Sequence, residues 1–437
     1  MTAQKARSGV RWLIIGMIAV ATVINYIDRN AMAVMWPEIS EEIGASKEDY
    51  ALLVSVFMIF YAIGQFGFGR LFDIIGTRVG FALSILGWSI SIALHSVASA
   101  VTQFAIFRAM LGITEAGPWP GTVKANAEWF PVRERAFAQG IFNSGAALGL
   151  IISPPLIAYL FDKLHWQATF LLIGGLGALW VLPWLLVNRA TPDKHPWVSD
   201  AERALILDRP AEASIEPPLA PAYAPKLGQL LGHRQAWGVI LARFFLDPVW
   251  WLFVSWLPLY LADTFGFDIK QIGAFGWVPF VGAMLGSLSG GWLSGALMRT
   301  GMATGRARKL VITLGGLIMA PCLVLAPQQT DPGQAVLIIA GVLFGFQVAI
   351  NNIQTLPSDL FSGKSVGTLA GVSGMAAVLG TLITTWLVPV MTKASYTPIF
   401  LLVAALVPLS LAAVWFVIGR VAAVQPRSPL ASQGTAE

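Results

Sequence analysis

Asn25-Tyr26-Ile27-Asp28-Arg29-Asn30 lies inside the first long apolar run of the chain and sets a carboxylate beside a guanidinium where lipid would otherwise surround both. An ionised side chain near a bilayer centre costs at least ~2.5–3.5 kcal/mol on insertion scales, so adjacent opposite charges there face a polar interior or a water-filled chamber. Two readings stay open for the pair: a site that handles charge, or a neutralised couple that only fixes the first helix to its neighbours.

The surrounding composition decides the class. Of 437 residues, 56% are hydrophobic and 12% charged, about half the charge of a soluble domain. Apolar runs of the length needed to cross ~30 Å of hydrocarbon recur along the whole chain, without the alternating pattern of an outer-membrane barrel. Lipid gives backbone groups no partners, so the runs are predicted to be helices. The reading is an all-α integral membrane protein with twelve transmembrane helices, over 12–34, 50–72, 79–99, 101–125, 134–160, 168–188, 236–262, 271–297, 309–327, 335–358, 365–391 and 398–420. These group as an N-terminal six-helix bundle (1–188), a Pro- and charge-rich linker (189–235) with a short helix near 199–207, a second bundle (236–420) and a Pro/Ser-rich tail (421–437) expected to be disordered. The first segment follows Lys5, Arg7 and Arg11 but runs too long and lacks a small-x-small cleavage site, so it is read as a retained helix. The single Cys322 permits no internal disulfide and no cysteine metal cluster.

Positive charge orients the chain. If both termini are cytoplasmic, 21 of the 28 Lys and Arg fall on that side, in the terminus before 12, the turns after the second, fourth, eighth and tenth helices, the linker and the tail. Lys47, Lys163, Lys270 and Lys393 fall outside, and Arg29, Arg108 and Arg243 lie within spans. Topology therefore accounts for the excess of +5, and a nucleic-acid partner has no support.

On the fourth helix Arg108, Gly112, Glu115 and Trp119 share one face. Counted from the outer ends of their helices, Asp28, Arg29 and Arg108 lie at matching depth, with Glu115 ~10 Å nearer the cytoplasm at ~1.5 Å per residue. This spacing predicts that Asp28 pairs with Arg108, that Arg29 faces a cavity, and that Glu115 is a separate second carboxylate. All four histidines fall at helix ends or in loops, so carboxylates are the candidate proton carriers. Arginine suits a planar carboxylate ligand because its fork binds bidentately. On the seventh helix Arg243 and Asp247, at i and i+4, are either an internal ion pair or part of a binding site. Trp250 and Trp251 are either a platform for a sugar ring or packing. The tenth helix carries Asn351, Asn352, Gln354, Thr355 and Ser358, a polar band for which sugar hydroxyls and helix–helix hydrogen bonds are competing uses.

Gly69-x-x-x-Asp73-x-x-Gly76-x-Arg78, between the second and third helices, resembles the signature turn of the major facilitator superfamily, with Ile74 where the family pattern has Arg. That resemblance makes Asp73 and Arg78 gate candidates at the cytoplasmic side. Asn25-Tyr-x-Asp-Arg29, Arg108-x-x-x-Gly-x-x-Glu115-Ala-Gly-x-x-Pro120, Glu128-Trp-Phe-Pro-x-Arg-Glu-Arg135 and Phe142-Asn-Ser-Gly145 are similar to the anion:cation symporter family. Asp247-Pro-Val-Trp-Trp251, Ser255-Trp-Leu-Pro258 and Gly290-Gly-Trp-Leu-Ser294 are similar to its hexuronate-transporter branch. The resemblance implies two pseudo-symmetric bundles and proton-coupled uptake of a sugar acid, most simply a hexuronate, with Arg29 on the substrate carboxylate, Asp28 and Glu115 carrying protons, and Tyr26 and Tyr61 lining the sugar site. Galactonate-transporting relatives have Asn where this chain has Gly374.

The expectation is therefore a proton-coupled secondary transporter of the inner membrane, working as a monomer in lipid, with an organic anion and protons as its partners and no metal or cofactor. Another organic anion, such as an aldonate, a glucarate-type diacid or an aromatic acid, is the alternative substrate. A non-transporting receptor on the same fold is a more distant reading, since no signalling domain is apparent. No nucleophile–base set or phosphate loop supports an enzyme.

Overall fold

The computed structural model describes residues 9–207 and 223–424. Among the described residues nine helices are long and apolar enough to cross a membrane. Two of them each hold two spans, because Gly76 (φ 78°) breaks the segment Lys47–His95 and His165 (φ 58°) breaks Arg135–Val187. Only glycine takes the first of these backbone conformations without strain, which fits the reversal it makes. Val101–Glu115 and Pro118–Trp129 form the twelfth span, interrupted where Pro118 and Pro120 remove two backbone donors.

The spans are α1 (Val10–Ile43), α2 (47–75), α3 (77–95), α4 (101–129), α5 (135–164), α6 (166–187), α7 (Arg234–Phe265), α8 (269–299), α9 (Thr304–Leu325), α10 (Pro332–Leu360), α11 (Val366–Met391) and α12 (397–418). α1 is longer than the sequence pattern suggests. It runs through Pro37 to Ile43 and ends at Gly44, whose left-handed conformation lets Ala45 N–H close on the Ser40 carbonyl at 2.8 Å.

Buried apolar side chains form two large clusters, one drawn mostly from α1–α6 and one mostly from α7–α12, and a small third of Val123, Val366 and Ala370 between the halves. The halves meet along α2 against α11 and α5 against α8. A Cβ on Gly69 would collide with the Gly367 carbonyl, and one on Gly291 with the Ala136 carbonyl, so glycine is what lets these helix backbones touch. Both contacts lie at the end of the bundle that carries the basic turns.

The described part of the linker is tied to the bundle. Its helix Asp200–Ile206 presents Glu202 to the start of α1, accepting from Val10 N–H (3.2 Å) and Arg11 N–H (3.3 Å) and pairing with the Arg11 guanidinium (2.7 Å). A carboxylate at a helix N-terminus satisfies orphan donors and complements the dipole. After the linker, Ser365 donates to the Pro225 carbonyl (2.8 Å) at the start of α11. Of the tail, residues 421–424 are helix-free and ordered enough for Val424 N–H to reach the Leu360 carbonyl (2.8 Å); the disorder expected for the remainder concerns residues outside the described ones, as do Lys5, Arg7, Arg209 and Arg427.

Candidate functional site

A narrow cavity lies between the halves, with about 40 Å³ of free space in this conformation. α1, α2 and α4 contribute Tyr26, Tyr61, Gln65 and Trp119; α7 contributes Arg243, Asp247, Trp250 and Trp251; α10 contributes Phe346, Gln347, Ile350 and Gln354. Aromatic faces with a few convergent polar groups suit a ring that is apolar on its faces and polar on its edge.

Arg29 sits behind this aromatic wall rather than on it. Its guanidinium carbon lies 5.0 Å from the Tyr26 and Tyr61 ring centres, 5.4 Å from Phe57 and Trp251 and 5.5 Å from Trp119. Cation–π attraction of this kind holds a desolvated guanidinium in place. Nε and Nη2 each approach Glu115 Oε2 at 3.1 Å, and Nη2 donates to Asn25 Oδ1 at 3.3 Å. Nη1 of Arg29 and Oε1 of Glu115 have no hydrogen-bond partner.

These contacts correct the pairing inferred from spacing. Arg108 donates through Nε to the Met32 sulfur (3.0 Å), not to Asp28, and Glu115 is the partner of Arg29 rather than a separate carboxylate. The depth count failed because it took the outer end of α1 near residue 34, whereas the helix continues to Ile43. Met32 is one turn beyond Asp28, so Arg108 stands about 5–6 Å further out than the count placed it. The Arg29 side chain runs back along α1 toward Asn25 and meets Glu115 there. Asp28 is fully buried, neither of its oxygens has a hydrogen-bond partner, and the Trp88 indole is the polar group beside it.

Tyr26, Tyr61, Trp250 and Trp251 line the cavity, and Trp250 stacks on Phe346 at 5.7 Å. Asn351, Asn352 and Thr355 do not line it. Asn351 donates to the Ser287 carbonyl (2.6 Å) and accepts from Asn143 (2.6 Å); Asn352 donates to the Val348 carbonyl (3.1 Å) and accepts from Arg308 (3.3 Å); Thr355 donates to the Asn352 carbonyl (2.8 Å). They belong to an amide chain that reaches the cavity wall at Asn143 and Gln354, where Gln354 accepts from Gln139 (2.9 Å) and Asn143 (2.8 Å). The α10 face that reaches the cavity is 347, 350 and 354, one position round from the face 351, 355 and 358 chosen on polarity. Gln65, Trp119, Asn143, Phe346, Gln347 and Gln354 line the cavity without having been assigned to the site from the sequence. The signal for Gln65 is a lone amide in the apolar run of α2, and for Trp119 its place on the Arg108–Glu115 face.

At the basic end Asp73 accepts from Gly367 N–H (3.1 Å), Thr368 N–H (2.6 Å) and the Thr368 hydroxyl (2.7 Å), so it caps α11 from the opposite half. Lys124 stands 3.5 Å away. Arg78 takes no part: it donates to the Leu185 carbonyl (3.3 Å) inside its own half. On the other interface Arg308 pairs with Asp359 of its own half (2.9 Å) and donates across to the Val132 carbonyl (2.9 Å), and Arg135 donates across to the Ser358 carbonyl (2.8 Å).

Comparison with known proteins fits this geometry. Over 424 residues the chain is 31% identical to the hexuronate transporter of Escherichia coli (strain K12), covering 95% of this chain and 96% of the relative. It is 34% identical over 314 residues to the galacturonate transporter of Dickeya chrysanthemi, covering 71% and 89%. The structure superposes on that of the E. coli fucose:proton symporter with a TM-score of 0.67, covering 93% of this chain and 99% of that one at 14% identity, a likeness of fold. Twelve spans in two halves around a shared cavity are the architecture of a multi-pass membrane transporter, and since the Major Facilitator Superfamily model matches residues 18–385, the chain belongs to that superfamily.

Proposed function

We propose that this protein is a proton-coupled symporter that imports a sugar acid, a hexuronate such as glucuronate or galacturonate, across the inner membrane. The observation that carries the reading is Arg29 held to Glu115 behind the aromatic wall of a cavity between two halves. A guanidinium with one nitrogen unpartnered and the others on a carboxylate and an amide oxygen is placed to exchange that carboxylate for one on a ligand. Glu115 is the proton site that governs the exchange: when it takes a proton its hold on Arg29 weakens, the fork turns to the substrate carboxylate, and the acid crosses with at least one proton. Asp28, buried beside Trp88, is the second proton site, and Arg108 sets the field along the same face of α4 without bonding to it. Tyr26, Tyr61, Trp250 and Trp251 hold the sugar ring.

With the basic turns and both termini on the cytoplasmic side, the contacts of Asp73 with α11, of Arg308 with Val132 and of Arg135 with Ser358 and Asp359 close the inner end, leaving the cavity to load from outside. Rocking the halves to break them delivers the acid inward. The similarity to hexuronate and galacturonate transporters supports the substrate class. A monomer in lipid suffices for this cycle. The test is uptake of labelled D-glucuronate into sealed proteoliposomes: an imposed inside-alkaline gradient drives accumulation above the outside concentration. Absence of sugar-acid flux under any gradient ends the proposal.

A further inference from the structure

Among the described residues lining the cavity, Arg243 and Asp247 are the only charged ones. They form a two-pronged pair, with Nε on Oδ2 at 3.3 Å and Nη2 on Oδ1 at 3.1 Å. That leaves Nη1 pointing past the pair, 3.3 Å from where a Cβ on Gly374 would stand. The side-chain oxygen of Gln65, 98% buried and without a donor, crowds the same point from α2. The missing side chain on α11 thus lets the Gln65 amide oxygen and Arg243 Nη1 approach one another beside the cavity, next to the Asp247 carboxylate that Arg243 holds.

We infer that Arg243, Asp247 and Gln65 around Gly374 form the subsite for the hydroxyl end of the substrate, and that the carboxylate built into it makes the transporter select acids with one carboxylate over acids with two. This rests on the reading of the protein as a sugar-acid transporter and narrows it.

A sugar hydroxyl donates and accepts at once. Here it donates to Asp247 or Gln65 and accepts from Arg243 Nη1, so every group in the cluster is used. A second carboxylate only accepts. It would compete with Asp247 for one guanidinium and meet Asp247 as a like charge, in a wall whose net charge is already zero. An unpaired arginine in the same place would do the opposite, offering a free fork that matches a planar carboxylate. The two arginines therefore differ in kind: Arg29, behind the rings, is the pole for the acid, and Arg243, neutralised on its own helix, serves the hydroxyls. The similarity of this chain both to hexuronate transporters and to probable galactarate/D-glucarate transporters makes the distinction one of substrate.

Equilibrium binding of D-glucuronate and D-glucarate to the purified full chain in nanodiscs tests it. The unaltered protein is expected to bind glucuronate at least ~10-fold more tightly than glucarate, since the monoacid gains a charge-assisted hydrogen bond where the diacid meets repulsion. Asp247→Asn should weaken glucuronate ~10-fold and leave glucarate equal or tighter, so that the preference disappears or inverts. The double change Arg243→Gln/Asp247→Asn restores an uncharged wall and should return preference to the monoacid. A merely structural role for the pair would lower both affinities together and leave their ratio alone, and that result overturns the inference. Equal binding of the two acids by the unaltered protein overturns it too, even if Asp247→Asn fails to fold. Binding of neither acid sinks the sugar-acid reading itself, whereas glucuronate binding with an unmoved ratio sinks only the subsite.

Discussion

Asp73 and Asp28 are both buried aspartates of the N-terminal half, and they are treated in opposite ways. Asp73 accepts three hydrogen bonds at 2.6–3.1 Å from the start of α11 and has Lys124 within 3.5 Å. Neither oxygen of Asp28 has a hydrogen-bond partner, and the same is true of one oxygen of nearby Glu115. A buried carboxylate saturated by donors is fixed in geometry, and breaking its contacts means separating the halves. One left short of donors has acceptor positions open to a proton. On the proposed mechanism the difference divides the labour: the basic end holds, and the carboxylates behind the cavity switch.

The sharpest way to break this division is to remove the charge of Glu115 while keeping its shape. Glu115→Gln should abolish pH-driven accumulation of glucuronate, a loss of at least ~100-fold, while exchange of labelled for unlabelled acid across the membrane continues. Accumulation that survives would place proton coupling elsewhere. Next in size is Arg29→Lys, which keeps the cation but loses the planar fork. Glucuronate affinity should fall ~30–100-fold, about 2–3 kcal/mol, and a binding constant within threefold of the original would remove Arg29 from the substrate.

A smaller effect is expected at the latch. Asp73→Asn keeps the side chain's size but replaces charged acceptors by neutral ones, weakening contacts of about 1.5–3 kcal/mol each to rather less. The halves should then part at the basic end in a measurable fraction of molecules. Spin labels attached through Arg70→Cys and Lys364→Cys, both exposed positions, in a Cys322→Ser background would report a longer-distance population. An unchanged distance distribution would mean that Arg308, Asp359 and Arg135 hold the inner end without Asp73.

What the sequence made legible follows the range of the physics involved. Twelve spans and their division at the linker are set by apolar length and by Gly and Pro, all local properties. Gly76 and Pro118 act where they stand. The aromatic lining was legible because Tyr26, Trp250 and Trp251 stand within a turn of charged residues on one helix. Pairings across helices were not, since they depend on where a helix ends: Ser40-Glu41-Glu42-Ile43 reads as loop, and its continuation as helix moved Asp28 one turn away from Arg108. The latch partners were hidden for a related reason. Arg78 is as basic as Arg308 and stands much closer to an aspartate in the chain, yet it is Arg308 that meets one, 51 residues away, because only the tertiary path decides the pairing.

The weakest perturbation probes α10, where polarity alone suggested substrate contacts. Asn351 is fully buried and spends its amide on Ser287 of α8 and its carbonyl oxygen on Asn143 of α5, so it joins three helices across both halves. Asn351→Ala should therefore act on stability, costing about 1–3 kcal/mol for the donors and acceptors left unpaired. Glucuronate affinity should stay within threefold, because the residue is a layer below the cavity and Gln354 stands between. Thermal melting and binding measured on the same preparation separate the two effects. A tenfold loss of affinity with unchanged melting would mean that the amide chain opens to the ligand during the cycle, and the boundary drawn here between a holding end and a switching cavity would have to move one helical turn inward.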